Sequence, residues 1–222
     1  MRDSMSLVAG RLVHASRPLA PGGGRRYEIS QLARDLIASQ CVRFGQFKLK
    51  SGITSPIYLD LRRLVTHPAI LQRVAEAYAA TLSELQFDRL AGIPYAALPI
   101  ATAIALYMNR PLIYPRREAK DYGTQATVEG DFAAGETIAV VDDLATTGGS
   151  KIEAIQKIEA VGLRVCDVVV LIDRGQGAGT MLAEAGYRLH AVATLQELLE
   201  EWLRAGLITP AQHAEVTFFL SQ

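Results

Sequence analysis

The sequence predicts an α/β fold, a mostly parallel twisted sheet flanked by helices, and three observations carry that expectation. From Arg89 onward, strand-patterned and helix-patterned segments alternate, which requires right-handed crossovers and a sheet covered on both faces. The strands read as short continuous apolar runs rich in Val and Ile, as at residues 137–141 and 165–172, the pattern of strands buried on both sides. The chain has 222 residues, 50% of them apolar, enough for one large core that needs no metal or disulfide staple.

Residues 1–26 read as an N-terminal extension. Arg11, Arg17, Arg25 and Arg26 against the single acid Asp3 have something of a transit peptide. The plainer reading, favoured here, is a mobile or loosely packed extension ending in Pro-Gly-Gly-Gly. From Tyr27 the pattern becomes regular and one domain, residues 27–222, is expected. Ile29, Leu32, Ala33, Leu36 and Ile37 fall on one face of a helix. Residues 46–60 alternate around Phe47 and Leu49, turn, and resume at Ile57 and Leu59, a hairpin or β-rich flap. Ile70, Leu71, Val74, Ala75, Tyr78, Leu82 and Leu85 make a second helix, with Pro68 near its start.

The alternating region follows. Arg89–Ile93 is a short strand ending in a Gly/Pro turn, residues 98–108 are helical by composition, and Pro111–Tyr114 is a strand. Thr137–Val141 is a strand, followed past the glycines by a helix with Ile152, Ile155, Ile158 and Val161 inward. Val165–Ile172 is a longer buried strand, Met181–Ala185 continues a helix, and Leu189–Val192 is another strand. Thr194 and Glu197 form a capping box for the helix that carries Leu195, Leu198, Leu199 and Trp202. Thr209-Pro210 opens a last helix with Pro at its first position.

Composition narrows the function. Lys+Arg and Asp+Glu are 23 each, without the basic excess of a general nucleic-acid binder, although a small anionic ligand needs only local positive charge. Cys41 and Cys166 form neither a CxxC pair nor a disulfide framework, which suits a reducing cytosol. His14, His67, His190 and His213 are scattered, so no structural zinc site is expected. No apolar run reaches the ~18 residues of a membrane span.

In a sheet of this kind ligands bind beyond the carboxyl ends of the strands, so the loops after the strands are where chemistry belongs. The most informative segment is TIAVVDDLATTGGS, residues 137–150. An apolar strand ends in Asp142 and Asp143. Small hydroxyl residues and glycines then open a helix, and a helix N-terminus offers free amides and about half a positive charge to an anion. The segment is not a P-loop, because GxxxxGK followed by Ser or Thr is absent. Two acids before a phosphate cradle suit a phosphorylated sugar, the acids taking vicinal hydroxyls and the loop the phosphate. The plain alternative is an ordinary turn and a capped helix.

VVDDLATTGGS resembles the phosphoribosyl-pyrophosphate (PRPP) signature of the type I phosphoribosyltransferases. FGQFKLKSGITSPIYLDLR, residues 44–62, resembles the orotate-binding region of the orotate phosphoribosyltransferases, and RREAKDYGTQATVEG, residues 116–130, their mobile catalytic loop. LIDRGQG is a fourth motif in the same order. The loop with Tyr122, Thr124 and VEG is most similar to the phosphoribosyltransferase half of bifunctional UMP synthases. The resemblance runs from about Tyr27 to the C-terminus.

What the resemblance implies is specific. The fold is the type I phosphoribosyltransferase fold, with a small N-terminal hood or flap from about residues 27–65 plus C-terminal segments. The reaction transfers the 5-phosphoribosyl group of PRPP to orotate, giving orotidine 5′-monophosphate and pyrophosphate with Mg²⁺, in a cytoplasmic homodimer with a shared active site. Lys120, Asp142 and Asp143 are the catalytic residues. Lys120 reaches the pyrophosphate, with Arg116 and Arg117 contributed across the dimer interface and Tyr122 beside them. Backbone amides near Tyr95 and Ala96 bind pyrophosphate. Asp142 and Asp143 take the ribose hydroxyls, directly or through Mg²⁺. Leu144, Ala145, Thr146, Thr147, Gly148, Gly149 and Ser150 hold the 5-phosphate. Orotate falls to Lys50, Tyr58, Leu59, Thr146 and Arg174. Mg²⁺ keeps waters and substrate phosphates as its main ligands, so no direct protein cage is expected.

Three residues depart from the bacterial pattern: Ala96 where many members have Lys, Arg117 for a usual Lys, and Tyr122 where His is common. Tyr122 can still donate a hydrogen bond but cannot become cationic near neutral pH. Two rivals remain: a phosphoribosyltransferase for another nucleobase, disfavoured by Lys50 and Arg174, and a non-catalytic PRPP-sensing regulator. The 222 residues leave no room for a decarboxylase domain, so the next step is expected on another polypeptide.

Overall fold

A computed structural model describes residues 29–48, 52–117 and 127–221. The N-terminal extension lies outside the described residues. The first helix, α1 (Ile29–Ala38), buries Leu32, Ala33 and Leu36 as their spacing requires. It also buries Asp35, which two nitrogens of Arg73 hold at 2.8 Å each. The expected flap is an antiparallel hairpin of β1 (Val42–Lys48) and β2 (Thr54–Leu59), irregular between Phe44 and Phe47. A 3₁₀ turn at Leu61–Thr66, not expected from the pattern, leads into α2 (Pro68–Leu82), which has Pro at its first turn.

The alternating region gives β3 (Arg89–Gly92), α3 (Ala97–Met108), β4 (Leu112–Pro115), β5 (Val128–Glu129), β6 (Thr137–Ala145), α4 (Gly149–Glu159), β7 (Arg164–Asp173), α5 (Ala178–Glu184) and β8 (Arg188–Thr194). Two helices close the chain, α6 (Leu195–Arg204) and α7 (Pro210–Leu220), each opened by a complete capping box. The six-stranded sheet runs β5-β4-β3-β6-β7-β8. Its pairs are parallel except for the antiparallel β4–β5 pair.

Strand alternation divides the core in two. Ala139, Val141, Val169 and Leu171 face one side, where residues of α2 and α3 cover them and α1 and α6 join the same cluster. Trp202 of α6 is wholly buried there and its indole N–H donates to the Ala33 carbonyl at 2.9 Å, tying α6 to α1. Ile138, Val140, Val168 and Val170 face the other side, under Ala154, Ile155 and Ile158 of α4 and Ala178 and Leu182 of α5. Full burial of each Val, Leu or Ile side chain among these contributes ~1.5–3 kcal/mol.

Three expectations need correction. The strand expected to stop at Val141 continues to Ala145, because β7 pairs with it through Asp173 and supplies backbone partners that outweigh two acids in its run. The inward face of α4 begins with Lys151 rather than Ile152, which is only half-buried, and Val161 lies past the helix end. The fifth helix starts at Ala178, and its Met181 is exposed.

Candidate active site

The strand order fixes where the crevice opens. From β3 the chain crosses to β4 on one side, and from β6 it crosses to β7 on the other. The loops after β3 and β6 therefore emerge side by side at the topological switch point, where open α/β sheets bind ligands. The Ile93 amide extends the pairing by donating to the Val141 carbonyl at 3.0 Å. Gly92 lets α3 approach, since a Cβ there would lie 2.9 Å from that of Ala101. Tyr95 is exposed and Ala96 half-buried in the loop that follows, and the peptide joining Pro94 to Tyr95 is cis.

The two acids sit side by side inside β6, and their carboxyls are close enough to influence each other. Asp142 points toward α4. Its Oδ1 accepts from the Asp143 amide at 2.9 Å and its Oδ2 from Lys151 Nζ at 2.8 Å. The same Nζ donates to the Leu144 carbonyl at 2.7 Å. The Tyr78 hydroxyl, from α2 on the other face, donates to the Asp142 carbonyl at 2.6 Å. Asp143 accepts from the Leu144 amide at 2.8 Å. Burial, and then the charge of Asp142 beside it, pushes the Asp143 carboxyl up to about 7.

Beyond the acids, Leu144 is half-buried and Ala145 buried as β6 ends. Thr146 is half-buried, Thr147 and Ser150 are exposed, and Gly148 is the cap residue of α4 with φ +92°. No side chain caps α4, and the first amides of a helix lack intrahelical partners. Gly149 has open space where a Cβ would stand. The loop is thus a set of amides with small or absent side chains at a helix dipole.

Arg174 stands next to this loop. Its amide donates to the Ala145 carbonyl at 3.0 Å. The neighbouring Asp173 does not pair with it, for Asp173 Oδ1 accepts from the Gly175 amide at 2.9 Å. The Nε and Nη2 of Arg174 are buried without a hydrogen-bond partner, and burial lowers the guanidinium pKa. A buried cation with empty donors is costly unless an anion completes it.

The other expected residues are engaged differently. Arg116 is bonded to Glu129 at 2.6 Å, and its amide donates to the Thr127 carbonyl at 2.8 Å, closing a short stem. Lys157 of α4 donates to the carbonyls of Arg116 and Arg117 at 2.9 and 3.0 Å. The Arg117 guanidinium lies 5.6 Å from the centre of the Tyr95 ring of the same chain. Tyr58 packs its ring on Phe47 and under Arg43, and Leu59 packs against the larger core. Lys50, Lys120 and Tyr122 lie outside the described residues. Sequence reasoning missed Lys151, Tyr78 and Lys157. The inward spacing of position 151 with Ile155 and Ile158 was the one signal available, and a lysine there argued for solvent. Among the described residues no three His, Cys, Asp or Glu side chains converge on a metal position, and no helix is long and apolar enough to cross a membrane.

Comparison with known proteins agrees with this geometry. Residues 60–185 match the model of the phosphoribosyl transferase domain. The chain is 40% identical to the bifunctional enzyme PyrF/PyrE of Nostoc sp., over 87% of this chain and 40% of that protein. It is 43% identical to orotate phosphoribosyltransferase of Pyrobaculum aerophilum, over 77% of this chain and 89% of that one. The solved structure of Leishmania donovani UMP synthase superposes with a TM-score of 0.83 at 51% identity, covering 89% of this chain and 43% of that one. The chain thus spans about two fifths of the length of its bifunctional relatives.

Proposed function

The chain belongs to the phosphoribosyl transferase family, on its orotate phosphoribosyltransferase branch, and on that premise we propose that it transfers the 5-phosphoribosyl group of PRPP to orotate, releasing pyrophosphate. The observation that carries this reading is Arg174. Its buried, unbonded Nε and Nη2 await a planar anion beside the phosphate loop, and the orotate carboxylate fits a guanidinium bidentately. A neutral purine or uracil would leave that cation uncompensated.

The remaining roles follow from charge and position. The amides of Thr146 to Ser150 receive the 5-phosphate. Asp143 faces the ribose, where a carboxylate stabilises the positive charge that grows at the anomeric carbon as pyrophosphate leaves. Asp142 keeps unused lone pairs for a sugar hydroxyl, since each carboxylate oxygen can accept twice. Amides near Tyr95 and Ala96, with Arg116, Arg117, Lys120 and Tyr122, take the pyrophosphate. Lys50, Tyr58 and Leu59 line the base side. Mg²⁺, when bound, neutralises charge on the departing pyrophosphate. The donor set fits it, because Asp143 offers an oxygen ligand and a hard cation of this kind keeps waters and substrate oxygens for the rest. We assign a homodimer, for which the exposed Leu106, Tyr107 and Tyr114 offer an apolar face, and a cytosolic setting that suits unpaired Cys41 and Cys166.

Loss of orotate absorbance with PRPP and Mg²⁺ tests the reading directly. Turnover that needs both substrates supports it, and Lys120→Ala should slow that turnover strongly while the fold persists. Inertness toward orotate with turnover of another base would overturn the choice of base. Tight RNA binding with steep salt dependence and no transfer would favour a regulator.

A further inference from the structure

We propose that Lys151 is a positioning residue of the transfer site, its ammonium joining the Asp142 carboxylate to the Leu144 carbonyl so that the acid pair and the phosphate loop keep one fixed spacing. The inference rests on the phosphoribosyl-transfer reading above.

Lys151 is 2% exposed. It occupies the inward stripe of α4 with Ile155 and Ile158, where an aliphatic side chain would pack with no charge to bury. It also lies in the first turn of that helix, where the dipole disfavours a cation. Helix stability and core packing therefore both argue against lysine here. What the residue gains is two short bonds, 2.8 Å to Asp142 Oδ2 and 2.7 Å to the Leu144 carbonyl. These partners flank Asp143 on either side. The Tyr78 hydroxyl holds the Asp142 backbone from the opposite face at 2.6 Å, so that strand end is gripped from both layers.

The charge matters as much as the geometry. PRPP carries several negative charges, and two uncompensated carboxylates beside its loop would repel it. Lys151 neutralises Asp142, and its charge also reaches Asp143 next to it. Removing the ammonium would place an unpaired buried carboxylate next to the 5-phosphate and release the Leu144 carbonyl. Orotate, expected at Arg174, would feel little of this.

Lys151→Met preserves length and packing. Its Kd for PRPP by titration calorimetry, and its KM for PRPP, should rise by about tenfold or more, while the KM for orotate stays within about twofold. If the Met variant does not fold, Lys151→Arg reads the same split, because it keeps the charge but changes the reach, and PRPP affinity should fall about threefold or more. Unchanged PRPP affinity with a lowered melting temperature overturns the proposal and leaves a structural role only. Equal losses for both substrates overturn it too. Wild-type protein that fails to bind PRPP overturns both this proposal and the reading it rests on, whereas wild-type binding with an unaffected variant overturns this one alone.

Discussion

The amide of Arg174 donates to the carbonyl of Ala145 at 3.0 Å. That bond fastens the residue after β7 to the last residue of β6, and so sets the guanidinium at the edge of the phosphate loop. The adjacent Asp173 gives its carboxylate to Gly175 instead. A cation made in this way is stable only at a cost, which the ligand is expected to offset.

Replacing Arg174 by Met should therefore make the protein more stable and the enzyme worse. Removing an unbonded buried guanidinium should raise stability by about 1–2 kcal/mol, a gain of a few degrees in melting temperature for a chain of this size. The KM for orotate should rise about 100-fold, since a carboxylate loses its bidentate partner. Thermal melts and initial rates check both. A variant that melts earlier and keeps its orotate KM would show that the guanidinium serves a structural partner.

The Asp143 carboxyl, pushed up to about 7 by burial and by Asp142, links stability to pH. The unfolded chain releases this proton near pH 4, whereas the folded protein holds it to about 7. The folded state thus binds more protons across that window, and the contribution is fully present below it and lost as pH rises through 7. Asp143→Asn should flatten the free energy of unfolding between pH 4 and 7, a change on the order of 3 kcal/mol in wild type. Denaturant melts across that range measure it, and identical slopes for the two proteins would sink the assignment.

Gly148 and Gly149 should respond oppositely to a methyl group. Gly148 has φ +92°, and a Cβ there would lie 3.4 Å from the Ala178 carbonyl oxygen. Gly148→Ala should cost about 1–2 kcal/mol of stability from the backbone alone. Gly149 has open space around its Cβ position and lies in the first turn of α4. Gly149→Ala should hold stability or raise it by up to about 1 kcal/mol, yet weaken PRPP binding by covering the amides. Paired melts and PRPP titrations separate the two effects.

Lys157 holds the first carbonyls of the loop segment that begins at Arg116. Lys157→Met should lower kcat about tenfold through lost positioning of Arg116 and Arg117, with little change in melting temperature because the residue is partly exposed. Unaltered kcat would mean that the Glu129 and Thr127 contacts of Arg116 set this stem without Lys157.

Much of the fold was legible because helices and buried strands impose periods that apolar residues must obey. The face of α1, the capping box at Thr194, the helix start at Thr209-Pro210 and the burial of Trp202 all followed from spacing alone, whereas the second capping box, Thr209 with Gln212, did not. The stem strand β5 was not legible, since two residues carry no period. The end of β6 was missed for a related reason. Asp142 and Asp143 break an apolar run, and only the partner strand β7 shows that pairing continues past them.

The sequence by itself determined the chemistry on offer: a Thr/Gly/Ser cradle at a helix start, two adjacent acids, and an arginine after a buried strand. Those depend on residue identity within one short segment, so order along the chain carries them. Tertiary structure alone decided which of these groups remain available. It paired Asp142 with Lys151, engaged Arg116 with Glu129, and left Arg174 unbonded. The physical reason is that a side chain's charge state and free valence depend on burial and on partners brought from other elements. Lys151 reaches Asp142 only because α4 folds back onto the sheet face toward which strand alternation turns that acid.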